Sequence, residues 1–469
     1  MADASVPVTA NDTSFLGHPK GLAYLAFTEA WERFSYYGMG ALVVLYMVQE
    51  LLLPGHIENV VGMATYRGAL ESVFGPMSTL ALASQTFGFY GGLVYLTPLL
   101  GGFIADRWLG AKKTVLIGVL LMTAGHFAMA FEQSFLLAML LLVFGSGCLK
   151  GNIAAQVGHL YAVEDESRRT RGYTIFSTGI NIGGMAGPLV CGGVAQVYGW
   201  HYGFGTAGVF MLLACAVYLV GQKQLPEPNA RGRSRIVEAR LTPHERRTVV
   251  LLVTIMAISI LPSIAYGQGF NVGLIWISEH VDLTTSIGSF PVPWFNSVDA
   301  FASVLVAPLL ILFWMAQARR GSEPGDITKI AIAALILAAS RLLLAGGAYL
   351  AGDGKASLVI PMLSFILSGI GFMWYWPTLL ALISRRAPKK LGGLMMASVY
   401  LTAFFSAVTE GYLGTFYEKM SAENFWLLHV AIPSAGALMF LIFGPALKRA
   451  MDRPDPDIPS IDNAIGVAT

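Results

Sequence analysis

Three ionisable side chains fall within one helical turn of a long apolar segment near the N-terminus. Glu29, Glu32 and Arg33 are three and four residues apart, so a helix places them on neighbouring parts of one face. Tyr36 and Tyr37 continue that face one turn later. Charges inside a membrane are costly unless they pair or face water. An arginine beside two acids suits proton coupling, because a ligand carboxylate that binds the arginine frees an acid to take up a proton.

Charged residues recur inside four later apolar segments. Lys150 lies near the middle of its segment, too deep to reach the lipid headgroups, which favours a place in a central cavity. Arg341 has three leucines beside it and no acidic neighbour in the sequence, so structural, snorkelling and functional roles are equally open. Asp299 and Glu410 are the acids that could face Lys150 or Arg33 across such a cavity.

The composition indicates that lipid surrounds most of the chain. Hydrophobic residues make up 55% of the 469 positions, charged residues make up 12%, and the mean hydropathy is +0.62. The charged share is about half of that in soluble domains, which excludes a soluble globular enzyme. Cys148, Cys191 and Cys215 lie in apolar segments and are predicted to be core residues. No metal, cofactor or nucleic acid is predicted, since the sequence has neither a CxxC pattern nor a basic tract with interleaved aromatics.

Twelve apolar stretches are long enough to cross a bilayer, which takes about 20 residues. We predict an all-α membrane protein in which these stretches are twelve transmembrane helices, arranged as two six-helix bundles. The stretches are 22–52, 80–105, 112–131, 135–161, 171–197, 203–221, 248–280, 293–317, 327–350, 356–384, 392–416 and 424–447.

The distribution of positive charge predicts how these helices are oriented. If the N-terminus is cytoplasmic, 24 of the 30 Lys and Arg residues fall in cytoplasmic segments and three fall in the opposite loops. This bias follows the positive-inside rule and predicts that both termini are cytoplasmic. Two bundles joined by a linker are typical of transporters whose site lies between the halves. The predicted units are an N-terminal bundle at 1–221, a cytoplasmic linker at 222–247, a C-terminal bundle at 248–450 and a polar tail at 451–469.

Five short motifs occur in order along the first half of the chain. Together they resemble the proton-dependent oligopeptide transporter family of the major facilitator superfamily. Gly151 and Ser177 differ from the family pattern, which has proline and tyrosine there. The motifs are EAWERFSYYG at 29–38, YLTPLLGG at 95–102 followed by ADRWLG at 105–110, GSGCLKGN at 145–152, FSTGINIG at 176–183 and YGWHYGF at 198–204.

The resemblance implies a protein that moves di- and tripeptides together with protons by alternating access. It implies that Arg33 and Lys150 attract the C-terminal carboxylate of the peptide, and that Glu29 and Glu32 act with Arg33 in proton coupling. The implied substrate-binding residues are Arg33, Tyr36, Tyr37, Tyr95, Lys150, Asn181, Gln268 and Asp299, and the implied gating residues are Asp106 and Arg107.

The second half departs from the family pattern at charged positions. The acid that the family has in the seventh span corresponds to Gly267, and the glutamate of the tenth span corresponds to Phe372. The asparagine of the eighth span is Asp299. The acids that would pair with the arginine and the lysine of the first half are therefore missing from these positions. We hypothesise that Asp299 takes over part of their role, and Glu410 is the alternative.

These observations predict a proton-coupled symporter that imports di- and tripeptides and is not an enzyme. Its partners would be a small peptide, protons and lipid, and it would act as a monomer in the bacterial inner membrane. The aromatic, acid-poor second half leaves open a transporter of the same fold for a small organic or inorganic anion. A membrane-embedded enzyme would need His126 or His159, and neither a cysteine nor an acidic cluster accompanies these two residues in the sequence.

Overall fold

The structure is a computed structural model that describes residues 12–162, 165–226, 241–286 and 288–453. Within these ranges, twelve long helices correspond to the twelve predicted spans, which confirms the predicted fold class. Two short helices, α2 and α9, accompany them. The helices are α1 Lys20–Tyr46, α2 Met63–Phe74, α3 Thr79–Ile104, α4 Gly110–Ala128, α5 Phe135–His159, α6 Glu166–Tyr198, α7 Trp200–Gly221, α8 Pro243–Gln268, α9 Val272–His280, α10 Trp294–Arg319, α11 Asp326–Ala351, α12 Val359–Arg386, α13 Gly392–Gly414 and α14 Ala422–Met451.

Hydropathy supports the same count of spans. Ten described stretches are long and apolar enough to cross a membrane. One of them, Thr79–Ala128, contains both α3 and α4, which the π-helical turn Ala105–Leu109 joins. The turn ends at Gly110, whose φ of +76° is a conformation that favours glycine. The twelfth span is α1, which is not among these ten stretches and carries three charged residues and two tyrosines near its middle.

The seventh span differs from its prediction at both ends of α8. This helix begins at Pro243 instead of 248, because Thr242 and Glu245 form a capping box and a proline is favoured in the first turn. It ends at Gln268, and three residues separate it from α9, so the predicted span at 248–280 lies in one apolar stretch, Pro243–His280, that two helices form. Gly267 and Gly269 favour an interruption there, since glycine is a poor helix former. Residues 227–240 of the predicted linker and 454–469 of the predicted tail lie outside the described residues.

The bundle has two distinct ends. The end that carries the turn Ala105–Leu109 and the start of α8 is called the linker end here, and the opposite end is called the far end. Between α1 and α3, α2 lies at the far end; its 12 residues are too few to span a bilayer, and the sequence did not predict it. Two short strand pairs also lie at the far end: Val281–Asp282 (β1) parallel to Ala356–Ser357 (β4), and Thr284–Thr285 (β2) antiparallel to Gly288–Ser289 (β3).

Glycines allow the helices of the first bundle to approach closely. A Cβ at Gly183 of α6 would overlap the carbonyl of Ala30 in α1, and a Cβ at Gly187 would overlap that of Phe34. Between α5 and α3, a Cβ at Gly147 would lie 2.6 Å from the Thr97 Cβ. Such small-residue contacts are typical of membrane helices. They bring α1, α3, α5 and α6 together around the residues that the motifs single out.

The two bundles meet along two helix pairs, α3 with α13 and α6 with α10. The Asn271 amide donates a hydrogen bond to Ser84 Oγ at 2.8 Å, and the Trp294 indole donates to the Leu189 carbonyl at 2.9 Å. Ser297 Oγ donates to the carbonyl of Met185 at 2.8 Å. These bonds lie in the far half of the helices. They hold the two bundles together at the far end.

Candidate functional site

The three charged residues of α1 form a buried ion cluster. Arg33 Nε lies 2.9 Å from Glu29 Oε1 and 2.6 Å from Glu32 Oε2. Their side chains are at most 7% exposed, and Glu32 is fully buried. Both contacts are local, because the helix spacing alone brings the three groups together. The cluster therefore carries two carboxylates for one guanidinium inside the first bundle.

The ammonium group of Lys150 rests on aromatic rings. Its Nζ lies 4.4 Å from the ring centre of Tyr36 and 5.3 Å from that of Tyr95. In the part of the chain that the structure describes, no carboxylate oxygen lies within 4.0 Å of this Nζ. Cation–π contacts favour a positive charge at such a position but do not neutralise it. Lys150 is therefore ready to pair with the carboxylate of a ligand.

Stacked aromatic rings connect the two bundles beside these charges. Tyr95 of α3 stacks on Tyr400 of α13 with ring centres 6.4 Å apart. Tyr400 contacts Trp376 of α12 at 6.3 Å, and Trp376 stacks on Phe372 at 6.5 Å. Phe372 in turn stacks on Tyr266 of α8 at 4.9 Å. We call these five residues the aromatic wall. No sequence motif indicated Tyr400, because only the fold brings these helices together.

Asp299 lies at the end of the aromatic wall that belongs to the second bundle. Its Oδ2 accepts a hydrogen bond from the Tyr266 hydroxyl at 2.9 Å. Its Oδ1 is buried, and no described group bonds to it. A buried carboxylate oxygen without a partner carries a large desolvation cost, which a ligand ammonium would relieve. Tyr266 thus connects Asp299 with Phe372, the residue that stands where the family has a glutamate.

Glu410 occupies the space beside Gly267. A Cβ added at Gly267 would overlap the Glu410 carboxylate, whose Cδ lies 2.8 Å from that Cβ position. No side chain at 267 can therefore coexist with Glu410 as it stands. The acid that the family has on the seventh span is missing from α8, and an acid from α13 fills the same volume. The sequence signal for this replacement is weak, because it consists only of an acid in the eleventh span and a glycine in the seventh.

Arg341 is a buried cation of α11 in the second bundle. It is fully buried, so the snorkelling role that the sequence left open is wrong. Its Nη2 donates to Ser368 Oγ at 2.8 Å, and its Nη1 lies 2.9 Å from the Cβ position of Gly269. Asp299 and Glu410 are the carboxylates whose charges act on it. Asp299, Arg341 and Glu410 therefore form a second-half cluster, and whether the two acids also face Lys150 or Arg33 across the cavity stays a prediction.

The remaining predicted residues fall into two environments. Gln268 is fully buried at the end of α8, and no described group bonds to either polar atom of its amide. Asn181 is exposed on α6, one turn from Met185 toward the linker end. Asp106 and Arg107 are exposed in the turn after α3, where Arg107 lies 5.9 Å from the ring centre of Phe103. Their roles in binding and gating stay predictions.

Two six-helix bundles around a buried charged site are the architecture of a secondary transporter. The family model of the Major Facilitator Superfamily matches residues 33–409, and the chain belongs to this superfamily. Among similar proteins, the uncharacterized transporter YclF of Bacillus subtilis (strain 168) is 30% identical, over 93% of this chain and 96% of that protein. A di-/tripeptide transporter of Lactococcus lactis subsp. cremoris is 26% identical, over 93% of this chain and 97% of that protein.

The fold is also similar to solved transporter structures. A crystal structure of a mutant of the peptide transporter POT in complex with alafosfalin has a TM-score of 0.82 and 25% sequence identity. The match covers 95% of this chain and 98% of that chain. These findings confirm the resemblance to the oligopeptide transporter family. They also confirm that this protein is a multi-pass membrane transporter.

Proposed function

We propose that this protein is a proton-coupled symporter that imports di- and tripeptides by alternating access. One observation carries the proposal: Arg33 and Lys150 both lie over the ring of Tyr36, Lys150 also contacts Tyr95 at one end of the aromatic wall, and a buried acid with an unpartnered oxygen, Asp299, lies at the other end. A zwitterionic peptide brings one carboxylate and one ammonium, and both need partners once water is excluded. The di-/tripeptide transporters among its relatives support the same substrate class.

The carboxylate of the peptide binds at the first-half cations. Lys150 is available because it rests on rings and not on an acid. Arg33 already has two acidic partners, so a third carboxylate at its guanidinium weakens the hold on one of them. That acid then becomes easier to protonate, because an opposite charge no longer stabilises its ionised form. Glu29 and Glu32 are the two candidates for this proton.

The ammonium of the peptide binds at Asp299. The free Oδ1 accepts the ammonium while the Tyr266 hydroxyl holds Oδ2 in place. Tyr36, Tyr37 and Asn181 line the path between the two ends of the peptide. Glu410 has a different task from Asp299, since it fills the space beside Gly267 and compensates the charge of Arg341. In this chain, Asp299 and Glu410 thus share the roles of the two acids that the family has in its second half.

The orientation and the units of the chain follow from charge and topology. Both termini and the linker at 222–247 are cytoplasmic, so the linker end faces the cytoplasm and the far end faces outward. The N-terminal bundle at 1–221 and the C-terminal bundle at 248–450 move against each other around the site. The bonds from Asn271, Trp294 and Ser297 close the outward side. The protein works as a monomer in the bacterial inner membrane.

Uptake of labelled dialanine into proteoliposomes under an inward proton gradient tests this function. We expect accumulation in the wild type, none in Arg33→Ala, and wild-type accumulation in the matched control Lys355→Ala. Lys355 is an exposed cation at the far end, outside the site. If no di- or tripeptide competes for uptake and a small anion does, the protein is the anion transporter that the second half left open, and the peptide proposal is wrong.

A further inference from the structure

A group of potential metal ligands lies at the far end of the first bundle, away from the transport site. It forms where the end of α1, the connection between α4 and α5, and the start of α7 meet. One ligand atom from each of Glu50, His56 and Glu132 lies within 4.8 Å of the other two. His201 adjoins this group from the first turn of α7. No sequence motif indicates this group, since its residues come from three separate segments of the chain.

The side chains of this group already contact one another in histidine–carboxylate pairs. His56 Nδ1 lies 2.5 Å from Glu132 Oε1, and Glu132 Oε2 accepts a hydrogen bond from the Asn59 amide at 3.0 Å. His201 Nε2 lies 3.4 Å from Glu50 Oε1. The four side chains are between 15% and 44% exposed, so an ion can reach them from solvent although neighbouring groups hold them. Two carboxylates this close repel each other unless a cation lies between them.

We infer that Glu50, His56 and Glu132 bind a divalent transition-metal ion, and that His201 is the fourth ligand. Imidazole nitrogen with carboxylate oxygen is a donor set that suits Zn²⁺. Ligand atoms about 2.0–2.2 Å from a tetrahedral zinc ion lie roughly 3.3–3.6 Å apart. The ligand atoms of the three residues now lie 4.8 Å or less apart, and His56 Nδ1 lies only 2.5 Å from Glu132 Oε1, so zinc binding requires this pair to open and the wider spacings to close. The imidazole–carboxylate contact is replaced by bonds to the metal, and the ligating imidazole must be neutral.

The site adjoins a contact between the two bundles. Glu50 belongs to the π-helical turn Met47–Leu51 at the end of α1. The preceding residue, Gln49, donates a hydrogen bond to Ser278 Oγ of the second bundle at 3.2 Å. A metal ion that fixes Glu50 therefore also fixes the end of α1 in the arrangement that closes the far end. Bound zinc therefore slows peptide transport. This consequence rests on the proposed function, whereas zinc binding is independent of it.

Calorimetric titration of zinc chloride into the tag-free full chain in detergent tests the site. We expect one saturable binding event in the wild type and an affinity at least tenfold weaker in His56→Ala and in Glu132→Gln. His280→Ala is the matched control: His280 is a far-end histidine beside Glu279 and outside the group, so its removal leaves the affinity unchanged. Absent binding in the wild type, or wild-type affinity in both His56→Ala and Glu132→Gln, overturns the inference.

Peptide uptake with and without micromolar zinc tests the consequence separately. We expect zinc to lower the initial rate in the wild type and in His280→Ala, and to leave the rate of His56→Ala unchanged. Equal inhibition of wild type and His56→Ala contradicts the link between this site and the far-end contact. If the protein binds zinc but transports no peptide in zinc-free buffer, the proposed function is wrong and the metal site is still supported. The two failures are therefore distinguishable.

Discussion

The two bundles each bury one arginine with two carboxylates, but they assemble these groups differently. In the first bundle, Glu29, Glu32 and Arg33 come from one turn of one helix and form direct ion pairs. In the second bundle, Asp299, Arg341 and Glu410 come from α10, α11 and α13, and none of the three makes a direct ion pair with another described residue. A local cluster can exchange partners without moving helices, whereas a cluster of three helices holds the bundle together. We propose that the first cluster serves coupling and that Arg341 and Glu410 of the second serve mainly structure, while Asp299 also binds the peptide ammonium.

The largest expected effect comes from removing the second-half arginine. Arg341→Met leaves Asp299 and Glu410 buried without the cation whose charge acts on both, and removing one partner of a buried charge group costs about 3–5 kcal/mol. We expect a large drop in the melting temperature of the detergent-purified protein. Lys150→Met is the matched control, because the described structure gives Lys150 no acidic partner to leave unpaired. Equal melting temperatures of the two variants would refute the structural role of the second cluster.

This contrast also explains how much the sequence could predict. Spacing along one helix was enough to predict the first cluster, and hydropathy with charge bias was enough for the twelve spans. Arg341 had no acidic neighbour in the sequence, because its carboxylates come from other helices. The overlap between Glu410 and Gly267 was equally hidden, since it depends on how α13 packs against the end of α8. Contacts between distant segments need the fold.

The next effect in size concerns the space beside Gly267. Gly267→Ala puts a Cβ into the Glu410 carboxylate, so we expect lower stability and slower peptide uptake. The double variant Gly267→Ala with Glu410→Ala removes the overlap and should recover part of the stability that the single variant loses. Gly40→Ala is the control in α1, where nothing lies within 4 Å of the added Cβ. Thermal melting of the wild type, Gly267→Ala, Glu410→Ala and the double variant forms a double-mutant cycle.

If Gly267→Ala costs less stability in the Glu410→Ala background than in the wild type, Glu410 fills the space of the missing α8 acid. If the effects of the two substitutions on stability are simply additive, Glu410 does not fill that space. Uptake of dialanine by Glu410→Ala alone adds a second measurement. We expect Glu410→Ala to lose less uptake than Arg33→Ala, because Glu410 fills space and compensates charge, while Arg33 binds the peptide.

The smallest effect is expected at the rings beneath Lys150. Tyr36→Phe keeps the cation–π face, and Tyr36→Leu removes a contact worth about 0.5–2 kcal/mol. We expect Tyr36→Leu to raise the KM for dialanine several-fold and Tyr36→Phe to change it little. Uptake rates over a range of dialanine concentrations measure this. Equal KM values for Tyr36→Leu and the wild type would show that the rings do not position Lys150.

Peptide-dependent proton entry tests the central claim most directly, namely that the Arg33 cluster couples a peptide to a proton. A pH-sensitive dye inside proteoliposomes reports acidification of the lumen when trialanine is added outside. We expect acidification with the wild type and none with Glu32→Gln, while Glu32→Gln still exchanges peptide for peptide. Acidification by Glu32→Gln at the wild-type rate, or trialanine uptake by the wild type without any acidification, would contradict the account.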